Sequence, residues 1–130
     1  MKYPFVTINS QIIRPVIPVT LQVGDKTLPY TGLIDSGADY CIFDKELAKI
    51  LKIKFNPLDK IEFRGISGKS IGHWATIQLH FGEVFYNQKV VFADLKKAGV
   101  GILGQIGFLD HFQVSLDYQH KIITITPNTP

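Results

Sequence analysis

The chain has little of what several functional classes require. Only one of its 130 residues is a cysteine, Cys41, so no internal disulfide can form and no thiolate cluster is available for a metal. Its four histidines, His73, His80, His111 and His120, form neither an HExxH pattern nor a His-x-His pair. We therefore expect no metal and no organic cofactor. No uncharged run reaches membrane-spanning length; the best, Ala98 to Leu109, covers twelve residues and is broken by four glycines. The net charge is only +3, and Lys and Arg are scattered, so the concentrated basic face of a nucleic-acid binder is missing. Lys2, Pro4, Arg14, Pro15 and Pro18 leave no apolar core of signal-peptide form near the start. The expectation is a soluble protein of the reducing cytoplasm, with neither nucleic-acid nor membrane partners.

What the chain does have is the makings of a β-rich core. A composition 45% hydrophobic and 19% charged is globular, and 130 residues suffice for one domain over 1–130 with a real core. Tyr3 to Ile8 and Val16 to Val23 read as strands. Gly24-Asp25-Lys26 is a hairpin-type turn that returns through Thr27 to Ile34. Asp44 reads as the N-cap of a short helix ending near Lys52, with Phe43, Leu47, Ile50 and Leu51 on one face. Ala75, Ile77, Leu79 and Phe81 alternate with polar residues as in a half-buried strand, and Gly82-Glu83 turns into a further strand, Val84 to Ala93. A short buried Gly101-Ile102-Leu103-Gly104 precedes a second short helix at Gly107 to Phe112. A closing hairpin of Val114–Asp117 and Ile122–Thr126 follows, with Pro127 to Pro130 as a tail.

Several motifs carry chemistry in other settings and fail here on context. Gly68-Lys69-Ser70 ends like a phosphate-binding loop, but Phe63 stands where that loop needs its first glycine, and the following Ile71 to Phe81 reads as strand rather than helix. Ser67 lies in no Gly-x-Ser-x-Gly elbow. Cys41 sits in an apolar run without a basic neighbour and reads as a structural thiol. His73 and Trp74 follow the glycine-rich turn; they could line a cleft, but the first reading is packing residues.

The remaining stretch, Ile34-Asp35-Ser36-Gly37-Ala38-Asp39, places a carboxylate at the end of an apolar strand and follows it with residues able to turn sharply. Alone it is as compatible with a strand-end Asx turn as with a catalytic loop. Gly37 suits close backbone approach or unusual dihedrals. Two further blocks change its weight: Phe63-Arg64-Gly65-Ile66-Ser67-Gly68 between apolar arms, and Ile102-Leu103-Gly104 followed by Gly107-Phe108-Leu109-Asp110-His111-Phe112.

Asp35-Ser36-Gly37-Ala38-Asp39 after Leu33-Ile34, the glycine hairpin and Ile102-Leu103-Gly104, in this order, resemble the retropepsin-like aspartic proteases, the small bacterial members in particular. The resemblance runs from about Val16 to Ile125. It implies an all-β, closed, barrel-like fold with a flap hairpin and two short helices. It also implies an aspartic endopeptidase acting on polypeptide substrate. Asp35 would be the catalytic carboxylate, with Ser36 and Gly37 completing its loop and the Ser36 hydroxyl tying two such loops together. Ala38 and Asp39 would meet the substrate backbone. Gly65, Ile66, Ser67 and Gly68 would form the flap tip, and Ile102-Leu103-Gly104 would pack beneath the catalytic loop.

Such chemistry uses two carboxylates sharing one proton. The chain has one Asp-Ser-Gly; Asp25, Asp59, Asp94, Asp110 and Asp117 all lack the following Ser/Thr-Gly. A homodimer is therefore expected, with Asp35 of each copy meeting at a two-fold axis. One departure stands out. Retropepsins usually follow the apolar-Gly with Arg, which pairs with the second Asp of the catalytic loop, whereas Gln105-Ile106 stands here. Asp39 thus loses its expected cation. Gln105 can still donate one neutral hydrogen bond, and Arg64 and Arg14 are the candidate substitutes. This departure motivates a second reading, a non-catalytic retropepsin-like peptide-binding or dimerisation module.

Overall fold

The computed structural model describes residues 1–65, 68–96 and 98–129, with residues 64, 65 and 68 described by their backbone alone. The elements in chain order are β1 (Lys2–Pro4), β2 (Val6–Thr7), β3 (Ile13–Arg14), β4 (Val16–Val23), β5 (Lys26–Ile34), β6 (Ile42–Asp44) and α1 (Lys45–Ile50). They continue with β7 (Lys60–Gly65), β8 (Gly68–Phe81), β9 (Val84–Ala93), β10 (Gly101–Leu103), β11 (Phe112–Asp117) and β12 (Ile122–Pro127).

The largest sheet has the order β4-β5-β10-β6-β9-β8-β7, and β4 pairs again with β8 through Thr20–Gln22 and Gln78–His80. This second pairing closes six strands into a ring, the barrel-like arrangement expected, and leaves β7 as an arm beside β8. Antiparallel hairpins supply most of the ladder, but β10 runs parallel to β5, and β6 parallel to β9. Pro18, in the middle of β4, offers no amide hydrogen to a second neighbour. It lies outside the Thr20–Gln22 stretch where β4 meets β8, so no ladder bond is lost there.

Period-two alternation fills the core. Ile17, Val19 and Leu21 of β4 are buried while Pro18 between them is exposed. Phe43, Phe92 and Leu103 join the main core with Phe81, Phe108 and Phe112, whereas Ile42 and Val91, one residue earlier on β6 and β9, belong to a separate apolar cluster. Chain neighbours on these strands thus face opposite ways. The remaining strands form a three-stranded sheet, β1-β12-β11, and a two-stranded β2-β3 pair.

The strand expected over Tyr3 to Ile8 is interrupted at Phe5, which is buried and donates its amide to the Lys121 carbonyl at 3.2 Å. Asp44 precedes α1 but does not cap it; its carboxylate accepts the Leu95 amide at 3.1 Å instead. Phe43 lies in β6, not on the helix. With only six helical residues, contact is made through Leu47, Ala48 and Leu51, and Ile50 is 58% exposed.

The second helix expected at Gly107 to Phe112 does not form. Gly107 takes φ +113°, outside the helical region, and the Asp110 carboxylate accepts the Gly107 amide at 2.9 Å. Leu109 and Asp110 donate five residues back, to Gly104 and Gln105, so the segment is a set of turns leading into β11. Pro127 is paired with Phe112 at the end of β12 rather than in a free tail.

Candidate active site

Strand β5 delivers Asp35 alongside its parallel neighbour β10, whose Leu103 side chain packs over Gly32. Gly32 faces Leu103, and a Cβ on Gly32 would lie 2.6 Å from Leu103 Cγ. The register Gly32–Gly101, Leu33–Ile102, Ile34–Leu103 places the end of β5 directly beside Leu103-Gly104. There the ladder continues one bond further, the Asp35 amide donating to the Leu103 carbonyl at 3.0 Å.

The chain then turns. Asp35 Oδ1 accepts the Gly37 amide at 2.9 Å, and the Ala38 amide donates to the Asp35 carbonyl at 3.2 Å. This is an Asx turn, so the turn chemistry and a carboxylate-bearing loop are the same object. Gly37 is not in the left-handed region. Its small size serves the carboxylate instead, since a Cβ there would stand 3.3 Å from Asp35 Oδ1. Asp35 is half-buried, while Ser36, Gly37 and Asp39 are exposed, so the loop offers its chemistry at a surface.

Residues 104–106 hold this loop from below. Gln105 and Ile106 donate their amides to the Ala38 and Asp39 carbonyls, both at 2.9 Å. Gly104 makes this approach possible: a Cβ on it would lie 2.6 Å from the Ala38 carbonyl oxygen and closer still to that of Tyr40. The Gln105 side chain adds a third tie, Nε2 donating to the Ser36 carbonyl at 2.7 Å.

That last bond settles where the Gln105 donor goes: it reaches the backbone of the loop, not the Asp39 carboxylate. Arg14 is no substitute either, since its guanidinium donates to the Ile13 carbonyl at 3.2 Å. The Arg64 side chain lies outside what is described. Among the described residues, no hydrogen bond or ion pair engages the Asp39 carboxylate.

The glycine hairpin lies where the motif places it along the chain. Strands β7 and β8 pair antiparallel from Lys60–His73 to Gly65–Gly68, and Ile66 and Ser67 at its tip lie outside the described residues. Gly68-Lys69-Ser70 starts a strand, which disposes of the phosphate-loop context. Cys41, just past the loop, is fully buried; burial is the main cause pushing its thiol up to about 12, against a hydrogen bond from the Gly104 backbone. It carries no nucleophile chemistry at neutral pH.

Trp74, expected as a packing residue, does pack: it meets Tyr40, which sequence reasoning did not single out, edge-to-face with ring centroids 4.9 Å apart. Tyr40 also bridges to Ile106. Their positions 34 residues apart carry no local pattern. Only the β6–β9–β8 register joins them.

Comparison with known proteins follows the same lines. Residues 18–106 match the family model described as aspartyl protease. No curated protein matches the chain. Among solved structures, the retropepsin-like aspartic protease from Rickettsia conorii is similar over 85% of this chain and 89% of its own, with a TM-score of 0.60 and 19% identity. The retroviral protease-like domain of Ddi1 from Leishmania major covers 88% and 90% at a TM-score of 0.60 and 17% identity. The EIAV protease complexed with the inhibitor HBY-793 covers 77% and 88% at 0.56 and 23%. At these identities the likeness establishes a retropepsin-like fold.

Proposed function

This chain belongs to the aspartyl protease family, and from that premise we propose that it is a homodimeric aspartic endopeptidase, each subunit contributing one Asp35 to a shared site. The observation that carries the reading is the Asp35 loop itself. A half-buried carboxylate is anchored by its own amide to Leu103 and by Oδ1 to Gly37, at an exposed turn and with no second Asp-Ser-Gly in the chain.

In the assembled site two carboxylates roughly 3 Å apart cannot both ionise readily, so the pair holds one proton and titrates as a unit. The ionised carboxylate takes a proton from a water molecule as that water attacks the scissile carbonyl. The protonated one donates a hydrogen bond to the carbonyl oxygen as charge develops there. Collapse of the tetrahedral species returns a proton to the leaving amine. Ser36 and Gly37 shape the loop, Ala38 and Asp39 line the substrate backbone, and Gly65, Ile66, Ser67 and Gly68 close over it as a flap. No metal or cofactor enters this scheme.

The test is Asp35→Asn in a protein shown by thermal melting to fold. Wild type should cleave peptides at acidic to near-neutral pH, and the variant should lose cleavage. Undiminished cleavage by folded Asp35→Asn would sink the proposal. The second reading, a non-catalytic peptide-binding or dimerisation module, is favoured by one observation: Gln105 is engaged by Ser36 and leaves Asp39 without a described clamp. A sedimenting monomer at high concentration, with no cleavage of a peptide library, would select it.

A further inference from the structure

Strands β2 and β3 form a hairpin outside the two larger sheets, pairing Val6 with Arg14 and Thr7 with Ile13. The Ile8 amide donates to the Ile12 carbonyl at 2.9 Å, which extends the register by one pair. Side chains alternate along each strand, so Val6, Ile8, Ile12 and Arg14 share one face, and Thr7 and Ile13 the other. Ile13 is half-buried and packs against the main core, so its face is the inner one. The outer face therefore carries three branched aliphatic side chains, Val6, Ile8 and Ile12, which are 41%, 59% and 36% exposed. A sheet with one solvated face ordinarily turns its polar residues to the water. This hairpin does the reverse.

The hairpin is nonetheless well built. At its tip Asn9 Oδ1 accepts the amides of Gln11 and Ile12 at 2.9 and 3.0 Å, an Asx turn that sets the bend. Two strands alone are marginally stable in water. An ordered pair that turns three aliphatic side chains outward is a surface of the kind that binds a partner.

Its base lies at the end of the ring that bears Asp35. Strands β4 and β5 pair from Val23–Lys26 to Val16–Leu33, and the Pro15 carbonyl accepts the Ile34 amide at 2.9 Å. Two further positions along that register set Arg14, the last residue of β3, level with Asp35. With one Asp-Ser-Gly per chain, the site is incomplete until a second copy brings its own Asp35 to this end of the ring. The hairpin is also outside the family match, which covers residues 18–106, so it is an addition to the part of the chain that bears the shared loop. Resting on the homodimeric reading, we infer that the face formed by Val6, Ile8 and Ile12 is a dimerisation arm. It packs on the second copy and so helps to complete the two-carboxylate site.

The experiment is sedimentation of wild type, Ile8→Lys/Ile12→Lys and, on the other face, Thr7→Lys over a range of protein concentrations. Folding is followed by near-ultraviolet circular dichroism, and cleavage of a peptide library is recorded in parallel. Removing two aliphatic side chains from an interface should raise the dimer dissociation constant by about 10-fold or more. Cleavage by the double variant should fall at low concentration and return at high concentration, while Thr7→Lys behaves as wild type. If the double Lys variant does not fold, Ile8→Ser/Ile12→Ser is read in its place with the same expectation. A second measurement introduces no charge. In Ile8→Cys the new thiol is the reactive one, Cys41 being buried, and it should be alkylated slowly where the protein is a dimer and quickly after dilution. Unchanged association in the folded variants, equal loss of association in Thr7→Lys, or alkylation at one rate throughout overturns the inference and leaves the homodimeric peptidase standing. A wild type that sediments as a monomer at high concentration defeats the homodimer reading and the arm with it.

Discussion

Replacing Gln105 by Glu changes one donor group into an acceptor at nearly constant shape. The wild-type amide donates to the Ser36 carbonyl at 2.7 Å, a neutral bond whose net value is about 0.5–1.5 kcal/mol. An ionised Glu cannot donate there. Its oxygen would oppose the carbonyl oxygen, so the side chain would turn to water, which its exposure permits. Asp35 and Asp39 on the same loop add repulsion of the same sign. A protonated Glu restores a donor. In the folded state its pKa is therefore raised, and the bond is fully present below the unfolded value of about 4.3. It is lost as pH rises through the higher folded value. If the loop tie transmits fully to the catalytic geometry, kcat/KM at neutral pH falls by about 2- to 12-fold, the equivalent of that bond. The assay is the ratio of variant to wild-type kcat/KM between pH 3.5 and 7.5, with Gln105→Leu as a variant lacking the donor at every pH. The expected ratio for Gln105→Glu approaches one at the acid end and falls toward neutrality, while Gln105→Leu stays low throughout. A Gln105→Glu ratio that does not change with pH would refute the role given to this bond.

Gly104→Ala should be far more damaging. The added methyl meets backbone oxygens of Ala38 and Tyr40, and Ala38 is itself tied to the Gln105 amide. Overpacking of this kind costs about 1–3 kcal/mol or more, read as a lowered melting temperature together with lost cleavage; an unchanged melting curve would contradict the packing described. Cys41, with its thiol pushed up to about 12 by burial, should resist alkylation in the native protein at pH 8 and react at once in denaturant, as mass spectrometry would record. The Asp117 carboxylate is held below its usual range by hydrogen bonds from the His120 backbone and ring, the latter at 2.8 Å. Its contribution to the β11–β12 turn is present above about pH 4 and lost as pH falls through the depressed folded value. Thermal melts should show Asp117→Asn less stable than wild type at pH 6, with the gap closing toward pH 2.

Much of the molecule can be read before any coordinate is known, because short-range physics writes it locally. Alternating apolar residues in Val16–Val23 and Ala75–Phe81 impose a buried face at period two, and both are strands. Asp35-Ser36-Gly37 favours a sharp turn, and its single occurrence in the chain is the count on which the proposal of a second subunit rests. In both failures another hydrogen bond replaces the expected one, once from three residues away and once from across the fold. Gly107 to Phe112 is expected as a short helix, yet its residues other than Leu109 are poor helix formers, the Asp110 carboxylate claims the Gly107 amide and Gly107 takes a positive φ. Asp44 has the form of a cap, yet Leu95, 51 residues away, offers it a donor first.

Only the tertiary structure could decide which partner Gln105 takes, since the Ser36 carbonyl lies 69 positions away. The same holds for Trp74 and Tyr40, brought together through the ladder from β6 to β9 to β8. Local sequence determined the loop that bears Asp35, because turn chemistry depends on adjacent residues alone. What surrounds that loop was decided by strand register, in which a shift of one residue would exchange Ile42 for Phe43 and turn the separate apolar cluster into core.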